Sequence, residues 1–198
     1  MGINSKTDTV LRPALARRGR RAVFLDRDGV INDTVDRGEN FFVKGKQVRW
    51  TAPYSYGEFK FKSGVAESLK KFGELGFLRI IVTNQPDVKY GFISKKEYDL
   101  IMSDLQSLPL DDIFVCLHAR DDGCECRKPK PGMIVEAAKK WGIDLGKSLM
   151  IGDAEIDMDA GKAVGLRTIL MDYEHNKDVA ADVRVKNLSE AVKYIKTI

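Results

Sequence analysis

The segment AVFLDRDGVIN, Ala22 to Asn32, decides the fold. Its first four residues form a short apolar run with the character of a buried parallel strand, and two carboxylates one residue apart follow, then a glycine. In open α/β sheets the ligand crevice lies beyond the carboxyl ends of the strands, so Asp26 and Asp28 fall at an active-site edge and Gly29 lets the backbone turn. Alternation along an extended backbone aims both carboxylates at one small volume. Two like charges that close need a cation, and Mg2+, a hard ion that takes oxygen ligands, suits them. A D-x-D alone is more often a solvated turn, and the rest of the chain has to decide between the two.

The 198 residues, 43% of them hydrophobic, suffice for one full core, which predicts a single domain over residues 22–198. The net charge of +4 is concentrated in residues 1–21, which hold six basic residues and one aspartate. This basic arm, with Arg17, Arg18, Arg20 and Arg21, lacks aromatic interleaving and reads as a solvated extension, not a nucleic-acid contact. No apolar stretch has the length of a membrane span and the arm lacks the apolar core of a secretory signal, so the expectation is a cytoplasmic protein without membrane contact. A monomer is expected.

After the first strand comes a long connection, residues 32–63, rich in aromatics. Connections of this length in compact domains are lids or binding loops, so it is read as a flap with a hairpin turning at Lys44-Gly45-Lys46, or else as aromatics packed on the domain. Val65, Leu69 and Phe72 then mark a helix, and Leu78 to Val82 a second strand ending in Thr83-Asn84-Gln85. Strand, helix, strand implies a right-handed parallel crossover, which brings this polar triplet to the edge that holds Asp26. A Ser-x-x-Glu box predicts a helix from Ser94 to about Ser107, capped by Glu97, before a third strand at Ile113 to Val115.

All three cysteines lie in CLHARDDGCEC, giving Cys116, His118, Cys124 and Cys126 within residues 116–126. A Cys3His set is a standard tetrahedral composition for structural Zn2+, and four closed ligands leave no open position for catalysis. Arg127 and Lys128 follow at once, before a helix from about Pro131 to Trp141. A stapled loop would fix those two cations at the sheet edge, Lys128 as a point charge for a phosphoryl group and Arg127 as a fork for a second anion. A fourth strand, Ser148 to Ile151, delivers Asp153 to the same edge, with Asp157 starting the next helix. Arg167 to Met171 reads as a fifth strand, Val183 begins a short sixth, and a helix over about Ser189 to Ile195 ends the chain.

Taken together, DRDGV, Thr83, Lys128 and GDxxxD resemble the motifs of the haloacid dehalogenase (HAD) superfamily of phosphatases over Ala22 to about Met171. The cysteine knuckle followed by RKPKPGM is similar to the capless, zinc-containing branch that includes heptose-bisphosphate and histidinol-phosphate phosphatases. The resemblance implies a Rossmann-like, doubly wound parallel sheet with no large cap domain, and Mg2+-dependent hydrolysis of a small phosphorylated metabolite. It implies that Asp26 is the nucleophile and Asp28 the acid/base. Asp26, Asp28 (in the family through its backbone carbonyl) and Asp153 hold Mg2+, while Thr83, Asn84, Gln85 and Lys128 serve the phosphate.

On the substrate the sequence points two ways. Arg127 and the KPKPGM run favour a sugar bisphosphate, whereas the short gap between His118 and Cys124 resembles the histidinol-phosphatase pattern, with Asp121, Asp122 and Glu125 able to attract an amine. A polynucleotide 3'-phosphatase shares the catalytic motifs and would use the arm. Two positions depart from the heptose pattern: Pro86-Asp87 stand where Ser-Gly is typical, and Ala154 where a lysine often follows the motif aspartate.

Overall fold

The structure, a computed structural model, describes residues 19–198. Most of the basic arm therefore lies outside the described residues, but its last three positions belong to the domain. The Gly19 and Arg20 amides donate to the Gly142 carbonyl, and Arg21 opens the first strand.

That strand, β1 (Arg21–Leu25), is central in a six-stranded parallel sheet with β6 (Phe77–Asn84), β7 (Asp112–Cys116), β8 (Leu149–Gly152), β9 (Arg167–Met171) and β10 (Val183–Val185). The order is β10-β9-β8-β1-β6-β7. The chain moves outward from β1 through β6 to β7, then returns to place β8 against the other side of β1, so the topology reverses between β1 and β8. A crevice opens at such a switch point, and the Asp26 amide, donating to the Ile151 carbonyl at 2.9 Å, ties its two lips together.

Both faces of the sheet are covered, as expected of a parallel sheet whose strands are apolar throughout. Val23 and Leu25 point to one side, under α1 (Val65–Glu74), α3 (Lys95–Gln106) and α6 (Leu188–Ile195), which contribute Leu69, Phe72, Ile101, Leu105 and Val192 to the core. Ala22 and Phe24 point to the other, under α4 (Gly132–Trp141) and α5 (Glu155–Lys162), with Met133, Ile134 and Ala160. The expected α/β class and doubly wound arrangement are both present.

Between β1 and α1 the flap folds as two small ribbons. The outer pairs β2 (Val35–Asp36) with β5 (Trp50–Thr51), and the inner pairs β3 (Phe42–Val43) with β4 (Lys46–Gln47), both antiparallel. The hairpin turns at Lys44-Gly45, as the sequence suggests, with positive φ at both residues (51° and 77°), the handedness that matches strand twist. Within the flap Arg37 forks onto Glu58 through two 2.7 Å bonds, and its base is fastened to the domain where Tyr54 stacks on Phe92 with centroids 4.9 Å apart. Phe42 and Trp50 remain exposed, so only part of the aromatic set is packing.

The expected capping box at α3 closes by half. Ser94 Oγ accepts from the Glu97 amide at 3.2 Å, but the Glu97 carboxylate accepts instead from the Tyr56 amide of the flap at 2.9 Å, a backbone donor without another partner in the region. A single helical turn after β6, α2 (Asp87–Tyr90), has no counterpart in the sequence reading, because four residues carry no periodicity.

Leu69 is fully buried where α1 meets the sheet. Leu69→Ala should cost about 2–5 kcal/mol of stability, read in urea denaturation as a lower midpoint at unchanged slope.

Candidate active site

Four strand ends deliver the polar side chains. Asp26 follows β1 and Asp153 follows β8, on the two lips of the switch point, while Thr83 closes β6 and Lys128 arrives from the loop after the cysteine cluster. Lys128 is buried, and its Nζ lies 2.8 Å from Asp26 Oδ1 and 2.6 Å from Asp157 Oδ1. Asp157, on the first turn of α5 and wholly buried, also accepts from the Asp153 and Ala154 amides at 3.2 and 3.1 Å. One carboxylate thus caps the helix and holds the lysine.

Carboxylate oxygens of Asp26, Asp153 and Asp157 lie within 4.8 Å of one another. Gly29 permits this crowding, since its φ is +77° and a Cβ there would overlap the Asp153 carboxylate. The loop after β9 supports the cluster from behind. Asn176 donates to the Asp153 and Met171 carbonyls, both at 2.8 Å, and the Tyr173 hydroxyl donates to the Gly29 carbonyl at 2.7 Å.

Asp28 is placed differently from the sequence expectation. Alternation would aim its carboxylate at the volume that Asp26 faces, but β1 stops at Leu25 and the chain turns, with the Ile31 and Asn32 amides both donating to the Arg27 carbonyl. The period of two no longer applies. The Asp28 carboxylate is held instead by the buried Arg27 (Nη2 at 2.8 and 2.9 Å), by Asn32 Nδ2 at 2.9 Å and by Gln85 Nε2 at 2.7 Å. Among the described residues it is Asp157, not the Asp28 side chain, that completes the carboxylate cluster.

The triplet after β6 also divides its work. Gln85 Nε2 bridges Asp28 and the Thr83 hydroxyl, which is buried beside it. Asn84 turns away from the crevice and grips the Lys128 backbone at both ends: its Oδ1 accepts from the Lys128 amide at 3.0 Å and its Nδ2 donates to the Lys128 carbonyl at 3.1 Å. Both side chains are thus engaged by the Lys128 backbone and by Asp28 and Thr83.

The electrostatics show a cluster short of positive charge. Burial, then Asp157 and Asp26, push the Asp153 carboxyl well above the ordinary range. Burial likewise raises Asp26 to about 6, against the pull of Lys128 and with help from Asp157 and Asp28. Burial disfavours the Lys128 ammonium, but Asp157 and Asp26 outweigh it and hold the amine above its usual range. Asp26 Oδ1 is buried without an aligned hydrogen bond despite its ion pair, a donor atom suited to a hard cation.

The second cluster begins at Cys116, where β7 ends, and closes at Cys126, with Lys128 two places later. His118 Nδ1 lies 3.2 Å from Cys126 Sγ, and the Cys126 sulfur is 3.1 Å from Cys116 and 3.4 Å from Cys124. None of the cysteines is in a disulfide. Burial and the two neighbouring sulfurs push Cys126 up to about 12. Metal–sulfur bonds of about 2.3 Å in a tetrahedron set sulfurs roughly 3.8 Å apart, within a small expansion of this cluster. Arg127 leaves the cluster with its Nη1 donating to the His118 carbonyl at 3.2 Å, and it lines two cavities. One, of about 250 Å³, lies between the flap and the cysteine loop; the other, of about 410 Å³, reaches Lys128.

The sheet order and the carboxylate cluster at its switch point define a HAD-like hydrolase. The HAD-hydrolase-like family model matches residues 125–191, and the fold is similar to that of a D,D-heptose 1,7-bisphosphate phosphatase from B. bronchiseptica crystallised with magnesium and phosphate. That match has a TM-score of 0.73 at 22% identity, covering 89% of this chain and 98% of the other. At the level of sequence the chain is 36% identical to a D-glycero-beta-D-manno-heptose-1,7-bisphosphate 7-phosphatase of Helicobacter pylori, covering 89% of this chain and 97% of the relative. It is 32% identical to the D-glycero-alpha-D-manno-heptose-1,7-bisphosphate 7-phosphatase of Campylobacter jejuni, with 89% and 96% covered. The protein belongs to this family of HAD-like heptose-bisphosphate phosphatases. Among the described residues no helix is long and apolar enough to cross a membrane.

Of the residues that the sequence reading left out, Asp157 had a signal in the GDxxxD spacing, and Arg27 and Asn32 sit inside the quoted motif. Tyr173 and Asn176 had none, because a loop after a fifth strand carries no pattern. Asn84→Ala removes both bonds that fix the Lys128 backbone. It should lower kcat/KM by about 10- to 100-fold in a fully folded enzyme, measured by phosphate release alongside thermal melting.

Proposed function

We propose that the protein removes the 7-phosphate of D-glycero-D-manno-heptose 1,7-bisphosphate through an aspartyl-phosphate on Asp26. The observation that carries the reading is Lys128, a buried ammonium set between Asp26 and Asp157 at the switch point. It neutralises the nucleophile's surroundings and faces the position a phosphoryl group must occupy. An Asp26 oxygen attacks phosphorus, the bond to the sugar oxygen breaks, and Asp28 delivers a proton to that leaving oxygen. Asp28 then takes a proton from water as the water attacks the same phosphorus, and the bond to Asp26 breaks to release orthophosphate. Arg27, Asn32 and Gln85 keep Asp28 aimed through both halves.

The carboxylate cluster suits Mg2+, which Asp26, Asp153 and Asp157 would hold with the Asp28 carbonyl as a further donor. When bound it would offset the charge of the transferring phosphoryl group. The Cys116, His118, Cys124 and Cys126 set suits a structural Zn2+, which would keep Arg127 and Lys128 in place. Arg127 serves the second phosphate of the substrate. The relatives are named for both anomers, so the bisphosphate is proposed here and the anomer is decided by assay. Histidinol phosphate is the competing substrate, favoured by the acidic residues Asp121, Asp122 and Glu125 on the cysteine loop.

The deciding assay compares Mg2+-dependent phosphate release from both anomers of the heptose bisphosphate and from histidinol phosphate. The bisphosphate should lead by 100-fold or more in kcat/KM, about 2.7 kcal/mol of differential transition-state binding. Histidinol phosphate in the lead would overturn the substrate. Asp26→Asn should fall below about one thousandth of wild-type turnover on every ester. Metal analysis should find one zinc per chain, and its removal by a chelator should lower the melting temperature in a way that excess Mg2+ does not restore.

A further inference from the structure

The cavity between the flap and the cysteine loop is lined by four basic side chains, Lys44, Lys46, Arg120 and Arg127, and by two acidic ones, Asp87 and Asp121. Its excess of positive charge suits an anionic ligand, which makes Asp87 the anomaly. Asp87 opens the short helix α2, three positions after β6 ends in Asn84. It is more than half buried, and among the described residues its carboxylate makes neither a hydrogen bond nor an ion pair. Burial chiefly, with Asp28 nearby, pushes it up to about 6, against the pull of Arg27, Arg127 and Arg37. It shares the cavity wall with Arg127, the proposed second-phosphate residue.

The Asp87 carboxylate lines this cavity without a protein donor among the described residues, so its accepting oxygens are open to a ligand's donors. Phosphate oxygens cannot supply them, since they carry the same sign and belong with Arg127 and the lysines. Hydroxyl groups can. A ligand that is both polyhydroxylated and phosphorylated at each end satisfies the acidic and the basic parts of this wall together.

We propose that Asp87 is a specificity residue that accepts hydrogen bonds from hydroxyl groups of the sugar between its two phosphates. This rests on the bisphosphate reading above and deepens it. The carboxylate discriminates as well as binds, since a leaving group without hydroxyls leaves it desolvated and unpaired.

The test is steady-state kinetics of Asp87→Ala and Asp87→Asn on the heptose bisphosphate and on histidinol phosphate, with inorganic phosphate as competitive inhibitor. Competitive inhibition by orthophosphate reads phosphate binding in the absence of any sugar hydroxyl. Asp87→Ala should raise KM for the bisphosphate about 10- to 100-fold with kcat and the phosphate inhibition constant within twofold, and Asp87→Asn, which keeps a carbonyl acceptor, should fall between it and wild type. An equal loss in KM, kcat and phosphate inhibition would show a merely structural residue, and an unchanged KM would remove it from the site; either overturns the proposal. A loss confined to histidinol phosphate would do the same by assigning the carboxylate to an amine. Failure of the substrate reading is visible separately, as absent bisphosphate turnover by the wild-type enzyme.

Discussion

A lysine ammonium buried between two carboxylates is the constraint on which the rest of the site depends. Lys128 Nζ touches Asp26 and Asp157 at 2.8 and 2.6 Å, and three distant parts of the chain must meet to satisfy it: the end of β1, the first turn of α5 and the loop after the cysteines. Removing a partner from such a group leaves an uncompensated buried charge. This explains why so many other contacts converge on its backbone and neighbours. Asn84 clamps the Lys128 peptide from β6, the cysteine cluster fixes the loop two residues before it, and Asp157 is itself held by two backbone amides.

The same economy of charge accounts for both proposed metals. Asp26, Asp153 and Asp157 share one ammonium, and burial beside one another raises the Asp26 and Asp153 carboxyls. In the cysteine cluster burial and the neighbouring sulfurs raise the Cys126 thiol. The first cluster borders the crevice, where a cation would face a phosphoryl group. The second is closed by its four protein donors and, with the proposed zinc, would hold Arg127 and Lys128. Arg27 pairs with Asp28, whose carboxylate lies outside the Asp26, Asp153 and Asp157 cluster although Asp26 and Asp28 are near neighbours in sequence.

In the proposed function, substrate choice falls to parts of the molecule that do no chemistry. The flap brings Lys44 and Lys46 over a cavity whose other wall is the cysteine loop; Arg37 and Glu58 close the flap on itself, and Tyr54 fastens it to Phe92 of the domain. Asp87 lines the same cavity, on the helical turn that follows the Thr83-Asn84-Gln85 triplet.

By itself the sequence determined the α/β class, the strands that end in Asp26, Thr83 and Asp153, the hairpin at Lys44-Gly45, and the grouping of three cysteines with His118. Each of these is written in local pattern: an apolar run that stops at a carboxylate, a turn dipeptide, or ligands spaced within one loop. Tertiary structure alone decided which oxygens face one another. It tied the Asp28 carboxylate to Arg27, Asn32 and Gln85, because the strand ends at Leu25 and alternation ends with it. It brought Asp157 into the cluster, set Asn84 and Gln85 to positioning Lys128 and Asp28, and recruited Tyr173 and Asn176 from a loop without pattern. It also took Glu97 from its own helix cap to serve the flap. Side-chain direction after a strand end and contacts across more than a hundred residues depend on how the layers pack, and a one-dimensional pattern holds no record of that packing.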